Sequence, residues 1–398
     1  MSRVARSFAI WLLVAAAGRA DAQARLLDVR TLSSGAVAEH WSFGKASPNG
    51  GAQAVSSASQ FTVPFTAVIP IVPGWAFDSY VAYAHGTVTL DRGTLGHESL
   101  SLSGVNDAKV RLVGKLRGDN LLLTLGASLP SGTTALSPSQ LQALSVLASP
   151  ALRFRTPTLG TGPSGTGGLV VAGQAGSWAV ALAGAYEKRG DYAPSEALTA
   201  GLDRPAFKAG DAMHLSFGAD RLVQSARQSI SVIADFYSGG ELREPGADVA
   251  QTNFHLGPTV TATYQVQSTI GDVESMLYLL QRFRGNYSIG GVTVPNSWRG
   301  ESEIGFANAI AMTPQVALQF GIDSRFHTAH AGDVSDQTIS TFATAGMLAG
   351  GATIGLAVGR GSFLLEPFLR GQIGQLDLGG AVRHATGASA GLTLTARF

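Results

Sequence analysis

Apolar and polar residues alternate along most of this chain. In the closing stretch, Ala390, Leu392, Leu394, Ala396 and Phe398 take the even positions and Ser389, Gly391, Thr393, Thr395 and Arg397 the odd ones. A period of two gives a strand one apolar and one polar face. From Asn253 to Gln267 the apolar set is Phe254, Leu256, Val260, Ala262, Tyr264 and Val266. From Pro314 to His327 it is Val316, Leu318, Phe320, Ile322 and Phe326, opposed by Gln315, Gln319, Asp323 and Arg325. Val110, Leu112 and Leu116 oppose Lys109, Arg111, Lys115 and Arg117. A soluble sandwich also alternates. Here the polar face is charged on several strands while the apolar face stays apolar, as a lipid-facing band requires.

The connections alternate as well. Short turns fall near Pro70–Gly74, Arg117–Asn120, Ala175–Ser177, Val223–Ala226, Ser268–Asp272, Thr313–Gln315 and Gly359–Gly361. Between them lie longer polar or Gly-rich links at 91–104, 131–166, 189–209, 239–252, 285–298, 327–340 and 374–388. Short turns at one end and long loops at the other describe an up-and-down transmembrane barrel. The expected fold is therefore all-β, an antiparallel up-and-down transmembrane β-barrel. From Trp75 onwards the pattern yields 14 strands, and a hairpin over roughly 36–45 and 58–69 raises this to 16. Sixteen is favoured, because Phe61, Val63, Phe65, Ala67 and Ile69 alternate cleanly. With 14 strands, residues 23–57 would form a periplasmic or lumenal segment. One short helix interrupts the longest outer loop: Ser137-Pro138-Ser139-Gln140 reads as N-cap, first-turn Pro and capping-box Gln. Leu141, Leu144 and Leu147 give that helix an apolar face and make it a candidate lid over a pore mouth; the alternative is a surface helix packed on neighbouring loops.

The N-terminus predicts export. Arg3 and Arg6 precede an apolar run from Phe8 to Gly18, and Ala20-Asp21-Ala22 has the small-x-small form of a cleavage site. Residues 1–22 are thus the expected signal peptide and 23–398 a single barrel. The chain has 398 residues, 28 basic and 27 acidic, with 50 Gly and no Cys. Near-zero net charge leaves no basic footprint for nucleic acid. The lack of Cys excludes disulfides, Cys-ligated metals and a Cys nucleophile. No metal site, cofactor or catalytic group is expected. His97-Glu98-Ser99 is an isolated tripeptide, and His327, His330 and Asp333 lack a geometry-fixing helix.

Strand phase assigns the lumenal side chains. Basic candidates are Lys109, Arg111, Lys115, Arg117, Arg325 and Arg370; acidic ones are Asp235, Glu301, Glu303, Asp323 and Glu366. Charges in a wet lumen can set ion selectivity or narrow a pore. They can equally pair across neighbouring strands and only solvate the interior. Mixed signs imply weak selectivity unless one sign gathers at the narrowest level. Trp75, Tyr80, Trp178, Tyr186, Tyr237, Tyr264, Tyr287 and Trp298 fall near predicted strand ends, where an interface girdle would use them.

Gly391, Leu392, Leu394 and the terminal Phe398 resemble the C-terminal signal of bacterial outer-membrane proteins. That resemblance implies delivery to the barrel-insertion machinery and residence among outer-membrane lipids. Asn106-Asp107-Ala108-Lys109-Val110-Arg111-Leu112, followed by Leu123-Thr124-Leu125-Gly126-Ala127-Ser128-Leu129-Pro130-Ser131-Gly132, is similar to a stretch of the hydrophobic-compound transporters. These include the fatty-acid transporter family and barrels of aromatic-degradation pathways; Ser131 stands where they carry Thr. The resemblance implies a channel or transporter for passive passage of small solutes, hydrophobic ones among them. The alternatives are a structural or adhesive barrel without transport and an outer-membrane hydrolase.

Overall fold

A computed structural model describes residues 29–44, 54–116, 118, 120–196, 204–243, 252–329, 333–334, 339–340, 344–378 and 382–398. The signal segment 1–22, Arg117, His330 and the tip of the first hairpin lie outside the described residues. Sixteen antiparallel strands run up and down and close on themselves. They are β1 (Thr31–Phe43), β2 (Ala54–Val72), β3 (Trp75–Asp91), β4 in two pieces (His97–Val105 and Ala108–Lys115), β5 (Leu121–Leu129), β6 (Ser164–Ala175), β7 (Trp178–Arg189) and β8 (Ala212–Val223), then β9 (Ala226–Tyr237), β10 (Thr259–Ile270), β11 (Val273–Arg284), β12 (Arg299–Thr313), β13 (Val316–Ala329), β14 (Thr344–Arg360), β15 (Phe363–Leu378) and β16 (Val382–Arg397). Closure joins β1 to β16 in continuous register from Thr31 opposite Arg397 to Phe43 opposite Ala385. The sixteen-strand count holds, with Thr31–Phe43 and Ala54–Val72 as the first hairpin.

Thr31, where β1 begins, and the C-terminal Phe398 lie at the short-turn end. Two-residue turns there place Gly74, Gly176, Gly271 and Gly361 at φ between 60° and 78°, the left-handed region that glycine enters without a steric cost. Outward positions form an apolar belt: Leu182, Leu279, Ile322, Ile354, Leu369 and Leu394 are all exposed. A belt of this extent on a water-soluble monomer would drive association. A closed sheet satisfies every strand's backbone groups internally, which is what lipid demands. The barrel is a membrane barrel, and the belt is its lipid face.

The wall is uneven in height. Strands β6 to β11 have 12 residues each, close to the roughly 9–11 that a tilted strand needs to cross the hydrocarbon. β2, β3 and β14 have 19, 17 and 17 and stand well clear of it. On this tall side the alternation inverts. Ser99, Ser101 and Ser103 face out, while Leu100 and Leu102 face in and are buried. Trp41, Ala58, Val88, Leu376 and Ala385 do likewise. The expected links at 91–104 and 374–388 are corrected for this reason: His97–Val105, Phe363–Leu378 and Val382–Arg397 are strands. Their outer face meets water, so they carry the polar composition of a loop.

The expected strand over Asn253–Gln267 also divides. Thr252–His255 joins a separate six-stranded outer sheet built from the loops above the low wall, and β10 starts at Thr259. Pro258 has no N–H to give to a ladder, and Gly257 lies too close to the Gly285 and Asn286 carbonyls to admit a Cβ. Phe254 and Leu256 are buried against Tyr287 in this outer layer instead of facing lipid. Tyr287 is therefore no girdle residue. Neither is Tyr80, which register places opposite Lys109 on the lumenal face. Trp178 keeps an interfacial role, with the Arg221 guanidinium 4.5 Å above its ring.

Ile322→Arg, in the middle of the lipid belt, is expected to cost about 2–4 kcal/mol, and Gln319→Arg on the lumenal face much less. Urea unfolding in vesicles, followed by heat-modifiable gel migration, measures both.

Candidate functional site

The chain between β5 and β6 does not stay outside the barrel. Residues 130–163 turn inward and pack against the lumenal face of the tall wall. They carry helix α1 (Pro138–Leu147), whose start is fixed by reciprocal bonds between Ser137 and Gln140. The Gln140 amide donates to Ser137 Oγ at 3.4 Å, and the Ser137 amide to Gln140 Oε1 at 3.0 Å. Such a cap contributes about 1 kcal/mol. Ala143, Val146 and Leu147 are buried, with Leu141 and Leu144 packed at the margin. Leu147 occupies the space over Gly86, where any Cβ would collide with it. The helix is thus neither a free lid nor a surface helix. It belongs to a continuous apolar core with Trp41, Val88, Leu100, Leu102, Leu376 and others inside the barrel mouth.

Both stems of this loop are pinned at the break in β4. Asp107 is buried, and its carboxylate accepts the Gly132 amide at 2.9 Å and the Thr161 amide at 2.6 Å. The Thr161 hydroxyl also donates to it, at 3.2 Å. Ser131 Oγ accepts the Ala108 amide at 2.9 Å and donates to the Asn106 carbonyl at 3.3 Å. Gly132 faces Gly160 too closely for either to carry a side chain. The Asn106-Asp107 and Pro130-Ser131-Gly132 stretches thus have a mechanical job here. They end the pairing of β4 with β5 and clamp the neck of the inward loop. Outside the neck, Leu136 exchanges backbone bonds with Pro194 and Glu196, which ties the loop to the edge of the outer sheet.

After α1 the segment 152–156 runs along β1 and β2 and then reaches across to β12. Trp41 Nε1 donates to the Leu152 carbonyl at 3.2 Å. The Arg155 amide donates to Glu39 at 3.1 Å. Gln60 brackets the Thr156 backbone, accepting its amide at 2.9 Å and donating to its carbonyl at 2.7 Å. Buried bonds of this kind are worth about 0.5–1.5 kcal/mol each, and more when a charged group takes part. Arg153 sits at φ 53°, a conformation that a non-glycine residue pays for by about 1–3 kcal/mol unless its surroundings hold it. Its guanidinium is paired with Glu303 and reaches Glu301 at 3.5 Å. Burial works against that charge, but Glu303 and then Glu301 more than compensate and hold the group above its usual range. The side chain of Arg155 lies 5.4 Å above the Phe368 ring, and burial draws its guanidinium below the usual range.

Register places the other candidates on the lumenal face. Glu301 is buried and has Arg282 at 3.4 Å, Arg299 at 3.5 Å and His327 at 3.7 Å. Glu303 also accepts from Tyr278 at 2.6 Å. Asp323 pairs with Arg370 at 2.7 Å, and Arg325 donates to Gln372 at 2.8 Å. Glu366 is buried on the same face, nearer the short-turn end. Lys109, Arg111 and Lys115 line the opposite wall, where Arg111 pairs with Asp78 at 2.6 Å. Asp235 belongs to a third group, with His214 at 2.7 Å. Glycines keep these chains flat: Tyr278 lies over Gly305, Arg370 over Gly351 and Phe368 over Gly391. Gly391 therefore makes room for a ring, while Leu392, Leu394 and Phe398 face outward.

Glu301, Glu303, Asp323, Arg325 and Arg370 come together around the loop; Lys109, Arg111, Lys115, Asp235 and Glu366 do not. The phase of β11 already carried a signal for Tyr278 and Arg282. Nothing in the sequence pattern marked Arg153, Arg155, Glu39 or Gln60, whose importance arises only where the loop meets the wall. Asp107→Ala leaves two amides without an acceptor, at about 1–3 kcal/mol each. Limited proteolysis within 133–160 is expected to speed up for this variant, and less so for Asp107→Asn.

No family model matches the chain, and no curated protein matches it either. Among solved structures, it is similar in fold to OccK2 (OpdF) of Pseudomonas aeruginosa in complex with glucuronate. The identity is 10%, over 93% of this chain and 98% of that one, with a TM-score of 0.43. A FadL homologue of Pseudomonas aeruginosa gives 10%, 94%, 92% and 0.43 for the same quantities. OmpT of Vibrio cholerae, expressed in the outer membrane, gives 9%, 93%, 98% and 0.41.

Proposed function

We propose that this chain is an outer-membrane channel for passive entry of small solutes, with the inward loop as its constriction. The observation that carries this reading is the two-sided tether of segment 152–156. Trp41, Glu39 and Gln60 hold it on one wall, while Arg153 spans to Glu301 and Glu303 on another. A charged segment fixed across a wet lumen is the kind of element that sets pore size and selectivity. Mixed charges along the rest of the lumen suit a water-filled path. Leu141, Leu144 and Leu147 would act by seating the loop on the wall, not by touching solute. The chemistry is passage without bond-making, and a covalent or metal-dependent step is no part of this reading. Hydrophobic solutes remain within its scope through the apolar side of the loop. Gly391, Leu392, Leu394 and Phe398 would be read by the insertion machinery before the lipid belt is in place.

One observation favours a second reading, a plugged barrel with a structural role: the apolar core filling the tall side of the mouth. Planar-bilayer recording separates the two. The channel reading expects steady conductance from the refolded protein, and larger conductance when residues 137–150 are deleted. A correctly folded protein that is silent, and conducts only after the deletion, would establish the plug.

A further inference from the structure

We propose that Arg325 anchors a lumenal binding site for a small organic carboxylate. Three guanidiniums meet at the level of the loop tip, those of Arg153, Arg325 and Arg370. Two have carboxylate partners: Arg153 has Glu303 and Glu301, and Arg370 has Asp323 at 2.7 Å. Arg325 has none. Among the described residues its hydrogen-bond acceptor is the neutral amide of Gln372, at 2.8 Å, and its Nε–H is buried without one. The residue is 7% exposed. A buried cation with no direct ionic partner is a costly arrangement, and the repulsion from Arg153 and Arg370 outweighs the longer-range attraction of Glu303 and Asp323. A carboxylate supplied by a solute would relieve both at once, by the planar two-point pairing that a guanidinium favours.

The surroundings select the rest of the ligand. The Arg325 guanidinium lies 5.9 Å from the Trp41 ring, and Tyr278 lies flat over Gly305 on the same side of the barrel. A flat apolar body attached to the carboxylate fits these rings better than a hydrated inorganic ion does. Arg153 and segment 152–155 cover the site, so the anion enters where the loop tip lifts, and its binding is coupled to the constriction. The assignment rests on the channel reading for the ligand's route but not for its binding.

Calorimetric titration of the refolded protein in detergent tests it, with sodium benzoate as probe and benzyl alcohol as its uncharged counterpart. Benzoate is expected to bind and benzyl alcohol not. Arg325→Gln is expected to weaken benzoate at least about tenfold, as loss of a charge-assisted pair should, and Arg111→Gln to leave it unchanged. Should Arg325→Gln fail the heat-modifiability check for folding, Arg325→Lys replaces it; it keeps the charge, loses the fork, and is also expected to bind more weakly. Absence of benzoate binding, equal binding of the alcohol, or undiminished affinity in the folded Arg325 variant would overturn the proposal. Binding without conductance would refute the channel and keep the site; conductance without binding would do the reverse.

Discussion

Closure of the sheet between Thr31–Phe43 and Val382–Arg397 is the constraint from which the other features follow. In hydrocarbon an unpaired strand edge leaves N–H and C=O groups without partners, at several kcal/mol each. Sixteen strands meet that demand only as a ring. The ring then encloses a lumen too wide for wall side chains alone to fill. What occupies much of it is a loop.

The loop is held by two kinds of interaction that behave differently. On the tall wall it is seated by apolar burial, with α1 and Leu152 inside a core that includes Trp41, Val88 and Leu376. That contact is non-directional and stable. Across the lumen it is held by Arg153 on Glu301 and Glu303, a charged contact whose gain is offset by desolvation. The apolar side is therefore the firmer of the two attachments. The left-handed backbone at Arg153 lies at the charged attachment.

Polarity inversion on the tall wall links fold to function. Below the rim, apolar residues face lipid and polar ones face water inside. Above it, Ser99, Ser101 and Ser103 face outside water while Leu100 and Leu102 cover the helix. The same strands thus serve as membrane spans at one end and as half of a water-soluble core at the other. Without this switch the loop would have no apolar surface to rest on.

Local pattern was sufficient for the fold and for much of the lumen. Period two, alternating turn lengths and an outward apolar phase specify an up-and-down barrel because lipid imposes one rule on every strand. That phase also assigned Glu301, Glu303, Asp323, Arg325 and Arg370 to the interior. The capping box marked α1 through contacts within four residues. Other features depended on residues far apart in sequence. Whether residues 130–163 lie over the mouth or inside it was decided by the pairing of Asp107 with Gly132 and Thr161, and of Gln60 with Thr156. The strands read as links at 91–104 and 374–388 were hidden because their exposed face obeys water, not lipid. Arg153 and Arg155 carry no local mark, since a loop arginine acquires a role only from what stands opposite it. Periodicity reports which solvent a strand face meets, whereas the inward loop is held by contacts with strands far apart in sequence, and only the closed tertiary structure brings those together.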